Sequence, residues 1–198
     1  MNGLFFHFFY LFVLGNYQES LLYETMEQNF LPKENSKEKY LLFKSDLISE
    51  FHSLVSKISD IKSISEKIIL NEFGRFLSTK LYEMSRGSID PSWNYLQFLE
   101  NIENTIHEAL RNSNSSFNPP ILKVTRISDN KVVMSYDSPR RLEYLALGII
   151  QGFSRFFKDK YMVSMSKVDT PNSEISLFEI SIANTAETTN AKEHSQNE

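Results

Sequence analysis

The sequence contains no cysteine. That absence excludes disulfides, iron–sulfur clusters, cysteine zinc sites, thiolate ligands and cysteine nucleophiles together. Catalytic signatures are missing too: no glycine-rich phosphate loop, no G-x-S-x-G and no H-E-x-x-H occurs. The four histidines, His7, His52, His107 and His194, never recur three or four residues apart, so no local two-histidine metal site exists. Excess positive charge is also lacking. With 21 basic against 25 acidic residues the net charge is −4, and nothing in the balance calls for nucleic acid. No Lys or Arg precedes Lys33, so the apolar opening MNGLFFHFFYLFVLG lacks the basic start of a secretory signal. It also falls short of the roughly 20 residues that span a bilayer. A buried first helix is expected instead, with Phe5, Phe9 and Val13 on one face and no membrane insertion.

What is present suits a packed core. The 198 residues are 41% hydrophobic and 13% aromatic, enough for one ordinary domain or two small ones. The cysteine-free composition fits a reducing compartment, and a cytoplasmic protein is expected. Residues 1–30 read as one or two helices, and the polar stretch 31–37 as a loop. Asp46 is placed to cap a helix through Phe51, Leu54, Val55 and Ile58. A second helix is expected from Ser63 to Met84, with Ile68, Ile69, Phe73, Phe76, Leu77 and Leu81 inward. Pro91 or Ser92 would open a third, running to Asn112 with Leu96, Leu99, Ile102, Ile106 and Leu110.

After Pro119-Pro120 the pattern turns to strands. Ile121–Ile127 and Lys131–Tyr136 make a hairpin about Ser128-Asp129-Asn130. A helix is expected over Arg141–Phe157, then strands Tyr161–Val168 and Ile175–Ile182 joined by Thr170-Pro171-Asn172-Ser173. The polar end, 183–198, reads as a disordered tail. Helices first and then strands around one helix make an α+β chain without internal repeats. Gly148 and Gly152, four apart, signal close helix packing.

Two features carry chemistry. His107 lies at the edge of an apolar helical stripe, where a histidine is either an ordinary core-edge residue or a ligand. One histidine does not make a zinc site but suffices for haem, whose porphyrin supplies four nitrogens. In Tyr136-Asp137-Ser138-Pro139-Arg140, an extended backbone would send Tyr136, Ser138 and Arg140 to the same side. Two hydroxyls and a guanidinium then form a clamp for carboxylates. The alternative is ordinary strand-end polarity with a proline turn.

Taken together these residues are informative. A helix with apolar-flanked His107, Pro119-Pro120 opening a strand, and Tyr136-x-Ser138-x-Arg140 before a glycine-bearing helix resemble the haem nitric oxide/oxygen binding (H-NOX) domain. Met1-x-Gly3 before an apolar helix, Phe73-Gly74-Arg75, and the spacing from His107 to Tyr136 agree with it. The resemblance covers 1–182 and is weakest over 31–65. It implies a helical N-terminal part packed on helices and a four-stranded antiparallel sheet, with haem b between them. It makes His107 the proximal iron ligand and gives Tyr136, Ser138 and Arg140 the haem propionates. Pro120 would press on the porphyrin, and Phe5, Phe9, Leu77, Leu145 and Ile149 would line the distal side. Family members that hold dioxygen carry a tyrosine five residues past the clamp arginine; here that residue is Leu145. The resemblance therefore implies a nitric oxide sensor, not an enzyme, with a five-coordinate ferrous haem whose bond to His107 weakens on binding. Its expected reporter is a separate histidine kinase or cyclic-dinucleotide enzyme. A haem-less relative binding another small ligand or a protein is the alternative, and an enzyme using the same cavity a third.

Overall fold

A computed structural model describes residues 3–17, 47–108, 120–170 and 174–183. The expected loop at 31–37, the Asp46 cap, the segment 112–118, Pro119, the turn residues 171–173 and the tail from 184 onward lie outside them.

Three helices come first. Helix α1 (Gly3–Asn16) is apolar on nearly every side, so its sequence does not select a buried face. Packing selects it: Phe6, Phe9, Phe12 and Val13 are buried, whereas Phe5 is only half-buried. The buried stripe is thus displaced from the expected Phe5-Phe9-Val13 line. Helix α2 (Leu47–Lys62) buries Phe51, Leu54, Val55 and Ile58 as its spacing predicts. It ends at Ser63, whose φ of 54° is left-handed. Helix α3 (Glu66–Ser85) buries Ile69, Leu70, Phe73, Leu77 and Leu81, while Ile68, expected inside, is half exposed. One aromatic cluster ties the three together. The Phe9 ring centroid lies 4.9 Å from that of Phe51 and 5.0 Å from that of Phe73, both edge-on.

The next helix starts later than expected. Pro91 and Ser92 form a turn in which the Asp90 carboxylate accepts from the Ser92 N–H (2.8 Å) and hydroxyl (2.7 Å). Helix α4 (Tyr95–Glu100) opens at Asn94 through a capping box. The Asn94 side chain accepts from Gln97 N–H, and the Gln97 side chain accepts from Asn94 N–H, each at 2.9 Å. The α-helix stops at Glu100. The chain continues into a wider turn, Glu103–His107, where the Glu108 N–H reaches back to the Glu103 carbonyl.

Strands β1 (Ile121–Ser128), β2 (Lys131–Asp137), β3 (Tyr161–Asp169) and β4 (Glu174–Ile182) form one antiparallel sheet in the order β1-β2-β4-β3. Its inner face shows the period of two. Val132, Met134 and Tyr136 are buried on β2, and Ser176, Phe178 and Ile180 on β4. Helix α5 (Glu143–Phe153) lies between β2 and β3 in sequence and crosses α3 very closely. The crossing is an interlock of small residues. A methyl group on Gly148 would stand 2.0 Å from the Asn71 carbonyl oxygen, and one on Gly74 2.3 Å from that of Leu145. Tyr95 anchors α4 to the same helix by donating its hydroxyl to the Ile150 carbonyl.

Candidate functional site

Helices α1, α3 and α5, the wide turn and the inner sheet face leave between them a cavity of about 140 Å³ that opens to solvent. Leu4, Phe5 and Phe8 close it from α1, and Leu77 and Leu81 from α3. Leu145, Ala146, Ile149, Ile150 and Phe153 come from α5. Ile102, just before the wide turn, and Ile106 and His107 within it also line the cavity, as do Pro120, just before β1, and Leu122, Met134 and Tyr136 from the sheet. Arg140 and Leu142 complete the lining. Among the described lining residues only His107, Tyr136 and Arg140 carry polar side chains.

His107 is buried, and its Nδ1 lies 2.7 Å from a Glu103 carboxylate oxygen. A carboxylate accepts, so Nδ1 carries the proton. In a neutral ring the lone pair is then on Nε2, the nitrogen a metal would take. Glu103 and His107, four residues apart, meet on one face of the widened turn. Within it, Thr105 Oγ1 donates to the Asn101 carbonyl at 2.9 Å, a side-chain bond that competes with the regular helical ladder.

The clamp residues are assembled by a turn and not by strand alternation. Strand β2 ends at Asp137, because Pro139 has no N–H for the ladder and its ring restricts the backbone. Arg140 N–H bonds Ser138 Oγ (3.3 Å), Arg141 N–H bonds the Ser138 carbonyl (3.4 Å), and Arg141 has a left-handed φ of 52°. Tyr136 and Arg140 both reach the cavity, whereas Ser138 is not on its lining and bonds within the turn. Burial holds the Tyr136 phenol above its ordinary pKa, against the opposing hydrogen bond to Ser138, so it remains a protonated donor. Glu143 opens α5 beside them. Burial pushes its carboxyl up, but its own backbone N–H and Lys167 outweigh that and hold it below the usual range.

The expected distal residues divide. Phe5, Leu77, Leu145 and Ile149 line the cavity, as does Pro120. Phe9 does not: it is buried between Phe51 and Phe73, one helical step from the wall. On α1 the wall is Leu4-Phe5-Phe8. Sequence reading also missed Glu103, although an acid four residues before a histidine on a helix is a legible pair. His7, Tyr10 and Tyr144 stay off the lining; Lys67 Nζ sits 5.1 Å from the Tyr144 ring centroid.

Chemically, the donor set is selective. No three His, Asp or Glu side chains gather to hold a bare ion among the described residues. One imidazole facing an apolar slot with an anion clamp is instead the set that suits haem, which brings its own four nitrogens and two carboxylates. The residues present fit that group.

Comparison with known proteins agrees with this chemistry. A family model described as "Haem-NO-binding" matches residues 2–165. No curated protein sequence matches significantly. Among solved structures, the chain is similar to an H-NOX protein from S. oneidensis in its Fe(II)NO ligation state. That match has a TM-score of 0.76 and 21% identity, and covers 93% of this chain and 100% of the other. A mutant of the T. tengcongensis H-NOX gives 0.76 and 19%, covering 93% and 98%. A mutant of the unliganded Fe(II) H-NOX from K. algicida gives 0.75 and 20%, covering 95% and 100%.

Proposed function

The chain belongs to the haem-NO-binding (H-NOX) family of sensor domains, which are not enzymes, and from that premise we propose that it binds haem b and senses nitric oxide. One observation carries the reading: His107, with its proton fixed on Nδ1 by Glu103, and the donors Tyr136 and Arg140 meet on a single apolar cavity. Haem, when bound there, supplies a ferrous iron able to take a diatomic gas.

The chain's own residues do the rest. His107 offers Nε2 to the metal, and Glu103 holds the ring and raises its basicity. The Arg140 guanidinium and Tyr136 hydroxyl take the anionic edge of the porphyrin, with Ser138 supporting the turn that carries Arg140. Leu77, Leu145 and Ile149 exclude water and offer no hydrogen bond to a bound gas, which favours nitric oxide over dioxygen. His107 sits in the wide turn, a rare departure from the α-helix that is found mostly as a single turn and often at functional sites. A loosened His107 would be taken up by rewinding that turn, and the change passed to the helices around the cavity. By the resemblance, the receiver is a separate partner protein, a histidine kinase or a cyclic-dinucleotide enzyme.

The test is an absorption spectrum of protein expressed with haem supply. A strong Soret band that shifts when the ferrous protein meets nitric oxide is expected. A colourless protein that takes up no added haem would overturn the reading.

A further inference from the structure

The stretch in which no family motif is recognisable contributes a side chain to the clamp. His52 Nε2, on α2, lies 3.0 Å from the Arg140 carbonyl oxygen, 88 residues away in sequence. A carbonyl only accepts, so Nε2 carries the proton and donates. The turn it meets is held locally by the Tyr136 hydroxyl bonded to Ser138 and by two long bonds that Ser138 accepts, from the Arg140 N–H (3.3 Å) and the Arg141 N–H (3.4 Å), and Arg141 occupies a left-handed conformation that costs a non-glycine residue energy. Such a conformation persists where surrounding contacts over-determine it.

His52 comes from a firm support. Its neighbour Phe51 is fully buried in the aromatic cluster, with its ring 5.1 Å from Phe5 and 4.9 Å from Phe9. Helix α2 therefore cannot rotate His52 away from the turn without pulling Phe51 out of the core. The bond reaches the backbone of Arg140 itself, whose side chain lines the cavity rim.

We propose that His52 is a positioning residue for the anion clamp: by fixing the Arg140 backbone it holds the guanidinium at the cavity rim and ties α2 to the bound group. The inference rests on the haem reading above. It makes α2 the point at which the N-terminal helices and the clamp are mechanically joined.

The experiment measures haem dissociation from the full-length, haem-loaded protein into excess apo-globin. His52→Phe keeps a ring but loses the donor, and His52→Gln restores an amide donor. His52→Phe should release haem roughly 3- to 10-fold faster, and His52→Gln should stay within about twofold of wild type. Because His52 acts through Arg140, the His52→Phe effect should vanish in an Arg140→Ala background, which a general packing role would not produce. Equal off-rates for wild type and His52→Phe, or full additivity with Arg140→Ala, would overturn the proposal. A wild type that binds no haem would instead sink the haem reading. A variant-free measurement stands beside these: nitrogen-15 NMR of wild-type His52 should show a protonated Nε2. A neutral ring protonated on Nδ1 alone would also overturn the assignment.

Discussion

Gly148→Ala tests the seam on which the cavity depends. The new methyl would lie 2.0 Å from the Asn71 carbonyl oxygen, 2.8 Å from its carbon and 3.0 Å from its Cα. All three are backbone atoms of α3, so no rotamer change relieves the clash. Ordinary contact begins near 3.4 Å, so the helices must part locally by an ångström or more. Sliding along the seam is blocked as well. A methyl-sized displacement there meets Leu145 O opposite Gly74 and Ser78 Oγ opposite Gly152. Overpacking of this kind costs about 3 kcal/mol, and alanine's better helix propensity returns about 1 kcal/mol. A net loss of about 2 kcal/mol lowers the melting temperature of a chain this size by about 4–8 °C. Leu77 and Leu81 on α3 face Leu145 and Ile149 on α5 across the same cavity, so haem retention should fall in parallel. Gly15→Ala is the control. It is exposed near the end of α1, no described residue packs within 4 Å of the added carbon, and its melting temperature should stay level or rise slightly. Calorimetry of the two variants decides the matter. A Gly148→Ala protein melting within about 1 °C of wild type would show that α3 and α5 are not interlocked as described.

Four further outcomes are expected. His107→Gly should lose the Soret band and recover it when imidazole is added; an unchanged ferrous spectrum would mean another residue ligates. Arg140 is only partly buried, so Arg140→Ala should lose about 1.5 kcal/mol of charge-assisted bonding and release haem roughly 10-fold faster, with Arg140→Lys intermediate; equal off-rates would remove the clamp. Ferrous protein exposed to air should show no long-lived oxygen complex, because no described lining residue beyond His107, Tyr136 and Arg140 carries a polar side chain; a persistent oxygen spectrum would contradict this. Burial holds the Tyr95 and Tyr136 phenols above their ordinary values, so above about pH 10 the unfolded chain binds fewer protons than the folded one. Stability should therefore fall as pH rises past about 10, by up to about 1.4 kcal/mol per unit for each tyrosine, and the slope should lessen in Tyr95→Phe; an unaltered slope would refute the contribution of Tyr95.

Legibility in the sequence followed the range of the interactions. Strand β2 could be read because Val132, Met134 and Tyr136 alternate with outward residues, and Asn130 and Pro139 bound them. Helix α2 could be read because Phe51, Leu54, Val55 and Ile58 repeat at helical spacing among residues that are mostly polar. His107, Tyr136 and Arg140 stood out because imidazole and a hydroxyl–guanidinium pair are chemically rare in an apolar setting. Glu103 was within reach of the same logic, four residues before its partner.

Local pattern therefore determined the α+β class, the elements and the chemical character of the site. It could not choose among faces that are all apolar, and so it placed Phe9 on the cavity when the packing of Phe51 and Phe73 draws it away. It could not show that α4 stops at Glu100 and a wider turn carries His107, since an α-helix and a π-turn expose nearly the same periodicity over five residues. Nor could it pair His52 with Arg140, or Gly148 with Asn71, because each contact joins backbone atoms to residues far along the chain and leaves no local signature. Those choices belong to the tertiary structure, where long-range packing decides between local conformations of similar energy.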